Sequence, residues 1–307
     1  MVALRGSGPL KLGGAMEVSV AGAESNVAIG LARLGHAVRW AGAVGADEAG
    51  ELVLRTLRAE GVDASAASRD AGAPTGLILF EPRLPDVTRV HYYRSGSAGS
   101  RITPDAVERA FGAGPPPRLL HLTGITPALS ATARAACERA LGLARDHAVP
   151  VCLDVNFRSR LWSRADAGAV LRSWAPRVDV LIASDDELPL CLPPDGGPAA
   201  LPEQAGALLG LGVREVVVKL GADGATAYTA AGALHRPARR VRAVDTVGAG
   251  DAFVAGYLSA LLDGGDGAGR LERAVTCGAF AVAGRGDWEG APTRAELGLL
   301  GGGDVLR

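Results

Sequence analysis

Residues 245–251 of this 307-residue chain read DTVGAGD, and the run that follows, 252–262, is apolar and rich in helix formers. A Gly-Ala-Gly turn before a helix leaves successive backbone N–H groups uncovered, and the helix dipole adds positive potential at the same point. We therefore expect Gly248, Ala249 and Gly250 to cradle an anion that is transferring charge, such as a phosphoryl group.

The last residue of this stretch, Asp251, places a carboxylate beside the predicted anion site. The two negative charges repel each other unless the carboxylate accepts a proton there. The pattern therefore indicates a phosphotransferase with Asp251 as its general base. A Gly-rich turn that merely caps a helix is the alternative, so the prediction needs support from the rest of the chain.

Composition narrows the class of protein. With 307 residues, 48% of them hydrophobic, the chain can bury the core of one large α/β domain, or of one domain with an appendage. The formal charge of -1 provides no basic surface for nucleic acid, and no run of Lys or Arg suggests a membrane surface. The four cysteines are widely spaced, and the amino-terminal segment lacks an apolar signal core. These features predict a cytoplasmic protein with neither nucleic-acid nor membrane partners.

The main body of the chain alternates between strand and helix. From Arg118 onward, short apolar runs separated by helical segments predict a mainly parallel sheet covered on both faces. Residues 38–44 are predicted as a further short strand, and 225–236 as an antiparallel hairpin at an edge. This alternation of strands and helices predicts one α/β sandwich.

A second, smaller sheet is predicted beside the sandwich. The β-rich runs 75–81 and 87–94 are joined by a Pro-rich turn and read as a hairpin. Their mixture of Arg, His, Tyr and Val fits a sheet that is open on one side. We expect one domain, 1–307, with a lid formed by segments of about 9–20 and 74–95.

Two arginines occupy positions suited to a ligand. Arg158 follows Asp154 at the end of a predicted parallel strand, where open α/β sheets bind ligands. Tyr92 and Arg94 alternate along a strand and share one face. A guanidinium can hold a carboxylate or phosphate through two parallel contacts. The alternatives are a plain surface arginine at 158 and an edge-strand arginine at 94 that prevents aggregation.

Three further stretches have both a functional and a structural interpretation. Glu187, after Ser184, could orient water around a magnesium ion, or could belong to a capped helix start. The turn at 219–225 could flank a nucleotide, or be a plain β-turn. Asp287 could accept hydrogen bonds from a hydroxylated ligand, or cap its own turn. No Walker-type phosphate loop is present in the sequence.

Taken together, these segments resemble the ribokinase-like, or PfkB, family of sugar kinases over almost the whole chain. The resemblance is carried by DTVGAGD and by the turn at 22–26, which reads GAESN. It implies a three-layer α/β/α sandwich with a mainly parallel central sheet and a small β-sheet lid. Segments 92–98, 122–130, 154–158 and 285–291 are more narrowly similar to the family's sugar-acid kinases. They imply transfer of the γ-phosphate of ATP to the C6 hydroxyl of 2-keto-3-deoxygluconate.

The resemblance also implies roles for individual residues. Asp251 would take the C6 hydroxyl proton beside the anion hole of Gly248, Ala249 and Gly250, and Glu187 would be the magnesium-associated residue. The sugar would be bound by Gly22, Ala23, Glu24, Asn26, Tyr92, Arg94, Arg158 and Asp287. The nucleotide would be bound by Asn156, Arg158, Ser184, Lys219, Gly221 and Gly224. ATP and Mg²⁺ are the implied cofactors, with a monovalent cation as an open question.

Three departures from the family pattern bear on these expectations. Residues 1–4 stand at or past the end of the family's first strand, so we expect a truncated amino-terminal strand and a sheet that lacks an inner strand. Ala21 replaces a common glycine. Ser184 replaces a common Asn, which weakens the magnesium assignment.

Two alternatives to a sugar-acid kinase stay open. One is a kinase of the same family for a neutral sugar such as fructose or ribose. The other is a truncated, non-catalytic protein that binds a sugar or a nucleotide. In either case, the half-polar lid sheet predicts a homo-oligomer that associates through the lid.

Overall fold

The computed structural model describes residues 1–84, 87–194 and 200–300. Up to residue 112 the elements are β1 (Val2–Gly6), β2 (Met16–Val20), α1 (Ala23–Arg33), β3 (Ala43–Gly45), α2 (Glu48–Ala59), β4 (Ser68–Asp70), β5 (Leu77–Leu84), β6 (Val87–Tyr93) and α3 (Pro104–Gly112). They are followed by β7 (Leu120–Thr123), α4 (Thr126–Leu129), α5 (Ala131–Asp146), β8 (Val151–Asp154), α6 (Arg164–Trp174), β9 (Val180–Ser184), α7 (Leu201–Gly210), β10 (Glu215–Lys219), β11 (Ala225–Thr229), β12 (Gly232–Arg236), α8 (Ala249–Leu262) and α9 (Gly267–Ala283).

The central sheet has six strands in the order β12-β11-β10-β9-β8-β7. Strands β7 to β10 run parallel to one another. Strands β11 and β12 continue the sheet as an antiparallel hairpin at one edge. The mainly parallel sheet expected from the alternation of strands and helices is therefore confirmed.

Alternate side chains of the parallel strands enter two different cores. Leu153, Leu181 and Val218 pack into the core shared with α5, α6 and α7. Their neighbours Cys152 and Ile182 pack into the core shared with α1, α8 and α9. Burial on both faces explains why these strands read as continuous apolar runs. The fold is the expected three-layer α/β/α sandwich.

The smaller sheet has four strands in the order β2-β1-β5-β6. Strand β1 lies between an antiparallel partner, β2, and a parallel partner, β5. Strands β5 and β6 form the predicted hairpin, and the centre of its turn, residues 85–86, lies outside the described residues. Met16, Glu17 and Val18 are exposed, so one part of this lid sheet is open to solvent.

One strand and one predicted segment need separate comment. Residues 2–6 form an inner strand of the lid sheet, because their backbone pairs with β2 on one side and with β5 on the other. Residues 38–44, predicted as a continuous strand, pair with a parallel neighbour only at Arg39 and again at 43–45. The resulting two-stranded sheet, β3-β4, is separate from the six-stranded sheet.

Two further observations concern the environment of the chain. In the described ranges, no helix combines the length and the apolar character needed to cross a membrane. All four cysteines are buried and free. Burial raises the pKa of the Cys191 thiol to about 12, so this thiol stays protonated and unreactive at neutral pH.

Candidate active site

The DTVGAGD segment, residues 245–251, leads directly into α8, and we call its first part, residues 245–248, the signature loop. Gly248, the residue that caps this helix, has a left-handed backbone with φ 73°. A Cβ atom at this position would lie 1.7 Å from the carbonyl oxygen of Asp287, so only glycine fits. The helix begins at Ala249, three residues before the apolar run at 252–262. Ala249 N makes only a long bond of 3.4 Å to the carbonyl oxygen of Thr246. The next N–H groups have no carbonyl partner within the helix, which is the geometry that an anion site requires.

Asp251 lies in the first turn of α8 with 8% of its surface exposed. Its Oδ2 accepts a hydrogen bond of 2.8 Å from Nδ2 of Asn26. Burial raises the pKa of the Asp251 carboxyl to about 7, although the bond from Asn26 acts in the opposite direction. A carboxyl with this pKa can accept a proton near neutral pH, as a general base must.

Close packing of two helices places Asn26 beside Asp251. A Cβ atom at Gly30 in α1 would lie 2.7 Å from Cβ of Ala255 in α8, so the two helices approach more closely than larger residues allow. Gly22 and Ala23, the predicted sugar-binding residues, form the N-cap and the first turn of α1. The start of α1 therefore lies next to the start of α8.

A buried ion pair lies beneath the signature loop. Nζ of Lys219 is 2.8 Å from Oδ1 of Asp154, which is 1% exposed. The same Nζ would be 3.8 Å from a Cβ atom at Gly250, so a larger residue would fill the space between the lysine and the loop. Nδ2 of Asn156 donates to Oδ2 of Asp154 at 3.3 Å, and Asn156 has an unusual φ of 41°. Strained backbone at the end of a strand is typical of functional sites.

The predicted nucleotide and magnesium residues meet at the ends of neighbouring strands. Ser184 at the end of β9 pairs in register with Lys219 at the end of β10, and the turn that contains Gly221 and Gly224 follows. Glu187 accepts backbone N–H bonds from Phe157 at 2.7 Å and from Ser184 at 2.9 Å. Both carboxylate oxygens of Glu187 thus hold loops together. This arrangement suits Mg²⁺ held through waters, because the oxygens keep spare lone pairs.

The lid contributes a buried cation. Arg94 is 7% exposed, and its guanidinium lies 4.2 Å from the centre of the Tyr92 ring. In the part of the chain that the structure describes, neither Arg94 nor Arg158 forms an ion pair, and Nε of Arg94 has no hydrogen-bond partner. Burial lowers the pKa of the Arg94 guanidinium, and the positive charge of Arg158 acts in the same direction. The charge of Glu24 acts in the opposite direction, but it forms no ion pair with Arg94 in the described ranges.

Glu24 ties the start of α1 to the end of β7. Its Oε1 accepts hydrogen bonds of 2.6 Å from Oγ1 of both Thr123 and Thr126. Neither threonine is among the predicted site residues. Their position at the end of β7 and at the start of α4 was the available signal, since polar side chains at the ends of parallel strands line ligand sites.

Asp287 is held by an arginine from the lid sheet. Nη2 of Arg5 lies 2.7 Å from Oδ2 of Asp287, and Nη1 lies 3.2 Å from Oδ2 of Asp245 in the signature loop. Burial raises the pKa of the Asp287 carboxyl to about 6, while Arg5 acts to lower it. Arg5 is not among the predicted site residues either, because nothing in the sequence shows which carboxylates it would reach.

These groups belong to one region. The charge of Arg158 influences both Asp251 and Arg94, and Lys219 and Asp154 also act on Asp251. The predicted base, lid arginine and strand-end arginine are therefore close enough for electrostatic interaction. The site combines a carboxyl that titrates near neutrality, a helix amino terminus and several cations, a combination suited to moving a proton and a phosphoryl group.

Comparison with known proteins identifies the family of this chain. The family described as "pfkB family carbohydrate kinase" matches residues 3–294. A 2-dehydro-3-deoxygluconokinase of Thermoproteus tenax is 38% identical over 294 residues, 94% of this chain and 87% of that protein. One of Bacillus subtilis is 37% identical over 295 residues, 93% of this chain and 89% of that protein. The crystal structure of a PfkB protein from Polaromonas sp. JS666 is 36% identical and superposes with a TM-score of 0.85, covering 97% of this chain and 96% of that one. The chain belongs to the pfkB family of carbohydrate kinases.

Proposed function

We propose that this kinase transfers the γ-phosphate of ATP to the C6 hydroxyl of 2-keto-3-deoxygluconate, giving 2-keto-3-deoxy-6-phosphogluconate and ADP. The names of the Thermoproteus tenax and Bacillus subtilis relatives support this substrate. The observation that carries the proposal is the pair of arginines, Arg94 and Arg158, which interact electrostatically near Asp251 and form no ion pair within the described residues.

Arg94 is the stronger half of this observation because it is buried. A buried charge without a partner costs free energy, and an incoming anion would remove that cost. Its neighbour Tyr92 adds a hydroxyl that can bind a polyol. A sugar acid supplies a carboxylate and hydroxyls together, whereas a neutral sugar would leave the Arg94 guanidinium without an anion.

Asp251 acts as the base in the transfer. As the C6 oxygen forms its bond to the γ-phosphorus, the hydroxyl proton passes to the Asp251 carboxylate. The bond between the γ-phosphorus and the bridging oxygen breaks, and ADP leaves with the electron pair. The N–H groups in the Gly248, Ala249 and Gly250 segment stabilise the negative charge on the phosphoryl oxygens.

The ends of β9 and β10 hold the nucleotide. Ser184, Lys219 and the turn of Gly221 and Gly224 flank it, and Asn156 and Arg158 approach its phosphates. Mg²⁺, when bound, neutralises phosphate charge, and Glu187 orients water molecules around it. Lys219 contributes a fixed positive charge beneath the anion hole, since Asp154 holds it in place.

A substrate panel tests the proposal. ADP release is measured with ATP and, in turn, 2-keto-3-deoxygluconate, 2-keto-3-deoxygalactonate, fructose and ribose. We expect kcat/KM to be highest for a keto-deoxy sugar acid, and equal or faster turnover of a neutral sugar would contradict the proposal. Stabilisation by a sugar in a thermal-shift assay without ADP release would indicate a non-catalytic binding protein.

An arginine variant identifies what the acid group binds. Arg158→Ala should lower kcat/KM for the sugar acid by about 10–100-fold more than for a neutral sugar, because a bond to a charged group contributes about 1.5–3 kcal/mol. Arg160→Ala is the matched control, since its Nη1 donates to the backbone oxygen of Val90. An equal loss for both classes of sugar would remove the carboxylate-recognition role.

We also propose that two copies associate through the lid sheet. Val18 is 55% exposed and Tyr93 60% exposed, which leaves apolar surface on this sheet. Light scattering of the wild type should give more than the monomer mass, and Val18→Asp should lower it. Leu211→Asp, at a 46% exposed leucine outside the lid, should leave it unchanged. A monomeric wild type would contradict the proposal.

A further inference from the structure

Gly248 is confined by the backbone of a distant part of the chain. A Cβ atom at this position would lie 1.7 Å from the carbonyl oxygen of Asp287 and 2.7 Å from its carbonyl carbon. The backbone of Asp287 therefore lies directly against the first residue of the proposed anion hole. A movement of Asp287 relative to the signature loop would change the direction of the N–H groups that follow Gly248.

The side chain of Asp245 is the second support of this loop. Its Oδ1 accepts a hydrogen bond of 3.1 Å from Val247 N, and its Oδ2 accepts a long bond of 3.4 Å from Gly286 N. One carboxylate thus joins the residue before Gly248 to the residue before Asp287. The orientation of this carboxylate therefore affects how the loop enters α8.

Arg5 connects the two supports. Its Nη1 lies 3.2 Å from Oδ2 of Asp245, and its Nη2 lies 2.7 Å from Oδ2 of Asp287. A guanidinium is planar and rigid, so the directions of its N–H groups are fixed relative to one another. One side chain therefore sets the distance between the two carboxylates that support Gly248.

The two carboxylates repel each other when no cation lies between them. Burial raises the pKa of the Asp287 carboxyl to about 6, Arg5 acts to lower it, and the negative charge of Asp245 acts to raise it further. Within the described ranges, neither carboxylate forms an ion pair with any residue except Arg5. Arg5 therefore allows both groups to stay ionised at short range.

The lid fixes the position of Arg5 itself. Arg5 lies in β1 and pairs in register with Glu17 of β2 and with Phe80 of β5. Its guanidinium also lies 4.1 Å from the centre of the buried Phe80 ring. Nε of Arg5 is buried without a hydrogen-bond partner in the described part of the chain. The guanidinium thus directs its Nη atoms to the two carboxylates even though its Nε–H is left unsatisfied.

We propose that Arg5 is a positioning residue for phosphoryl transfer, which holds the Gly248 segment in its anion-binding geometry through Asp245 and Asp287. The inference rests on the proposed function, because it assigns Arg5 to the anion hole of that reaction. Arg5 acts through the two carboxylates and not by contact with the reacting atoms. A displacement of about 1 Å in such a segment can lower the rate by about 10²-fold.

Arg5→Met tests this role, because methionine keeps an aliphatic stem beside Phe80 and removes the guanidinium. We expect kcat for ADP release, measured with the sugar that the wild type phosphorylates fastest, to fall by about 10–100-fold. Hydrogen exchange of the amides in 247–250 should become at least about tenfold faster. The exchange measurement requires neither ATP nor sugar.

Arg33→Met is the matched control. The Arg33 side chain is as buried as that of Arg5, with 19% exposed against 18%, and its Nη1 donates to three backbone carbonyl oxygens in 288–291. Arg33 thus holds the same loop but, in the described residues, bonds to neither of the two carboxylates. Its replacement should leave kcat and the exchange of 247–250 within about threefold of the wild type.

Chemical rescue separates the position of the loop from general stability. Arg5→Ala leaves space for a small cation, so added methylguanidinium should raise its kcat at least about fivefold. Methylammonium, which has the charge but not the planar fork, should raise it less. Arg33→Ala with methylguanidinium should show no gain.

Several outcomes overturn the inference. These are a kcat of Arg5→Met within about threefold of the wild type, an equal loss in Arg33→Met, unchanged exchange at 247–250, or equal rescue of Arg33→Ala. If neither Arg5→Met nor Arg5→Ala folds, Arg5→Lys replaces them, and wild-type kcat and exchange in that variant count against the inference. A wild type that phosphorylates no sugar contradicts the proposed function instead, and the exchange measurement then decides the role of Arg5.

Discussion

Asp251 and Asp287 are both buried carboxyls with 8% of their surface exposed, but they have opposite kinds of partner. Asp251 accepts a hydrogen bond from the neutral amide of Asn26. Asp287 is 2.7 Å from the charged guanidinium of Arg5. An amide stabilises a carboxylate without neutralising it, whereas a guanidinium forms an ion pair that favours the ionised form.

The difference indicates which carboxyl can exchange a proton. Burial raises the pKa of Asp251 to about 7 and that of Asp287 to about 6. Protonation of Asp287 would also remove its charge attraction to Arg5, while protonation of Asp251 leaves a neutral pair with Asn26. Asp251 is therefore suited to act as the base, and Asp287 to remain ionised and accept hydrogen bonds from the sugar.

The largest expected effect separates the two carboxyls directly. Asp251→Asn should lower kcat by about 10²–10⁴-fold, the usual contribution of a general base, with little change in sugar affinity. Asp287→Asn should act mainly on KM. Steady-state ADP release and calorimetric sugar binding measure the two effects. Near-normal turnover by Asp251→Asn would end its assignment as the base.

The pH dependence of catalysis should follow Asp251. The carboxylate is the active form, so kcat/KM should rise with pH up to about 7 and then level off. At pH 5 the loss should be about 100-fold relative to the plateau. Asp287→Asn should retain this acidic limb. A limb that disappears in Asp287→Asn would instead assign the titration to Asp287.

A smaller effect should come from the amide partner. Asn26→Ala removes a bond that lowers the pKa of Asp251, so the acidic limb should move to higher pH. At pH 7 the loss in kcat/KM should be about two- to tenfold, since such a bond contributes about 0.5–1.5 kcal/mol. Ser25→Ala is the matched control because its Oγ donates to the Gly22 carbonyl and not to Asp251. If the acidic limb shifted equally in both variants, the Asn26 bond would not be what sets the pKa of Asp251.

The smallest effect concerns stability. The folded-state pKa of Asp251, about 7, lies above its unfolded value of 3.8, so the folded state binds this proton more tightly. Its contribution to stability is complete below about pH 4 and is lost as the pH rises through about 7. Asp251→Asn should therefore raise the Tm by about 4 °C or more at pH 8, by less at pH 5, and hardly at all below about pH 4. An Asn variant less stable than the wild type at pH 8 would contradict this account.

The sequence predicts those parts of the fold that are determined by a local pattern of residues. The apolar run at 216–218 has no role except in a sheet buried on both faces, and it lies there. Gly248 was identified by its place before a helix, and the structure shows the contact with Asp287 that requires it.

Other parts depend on contacts between distant residues and are not visible in the sequence. Arg5 is one of 32 Lys and Arg residues, and nothing local marks it as the partner of Asp245 and Asp287. The hydrogen bonds from Thr123 and Thr126 to Glu24 likewise join residues about a hundred positions apart. For residues 38–44 the local pattern was only partly right. It fits a strand, but the backbone pairs only at Arg39 and at 43–45.

The contact of Arg5 with two carboxylates has a mechanical consequence. Arg5 lies near the end of β1, and its guanidinium also lies 4.1 Å from the centre of the Phe80 ring in β5. The same side chain thus fastens two strands of the lid to the loop that leads to Asp251. An opening of the lid that parts β1 from the signature loop would have to break both ion pairs of Arg5, so this one side chain opposes such a movement.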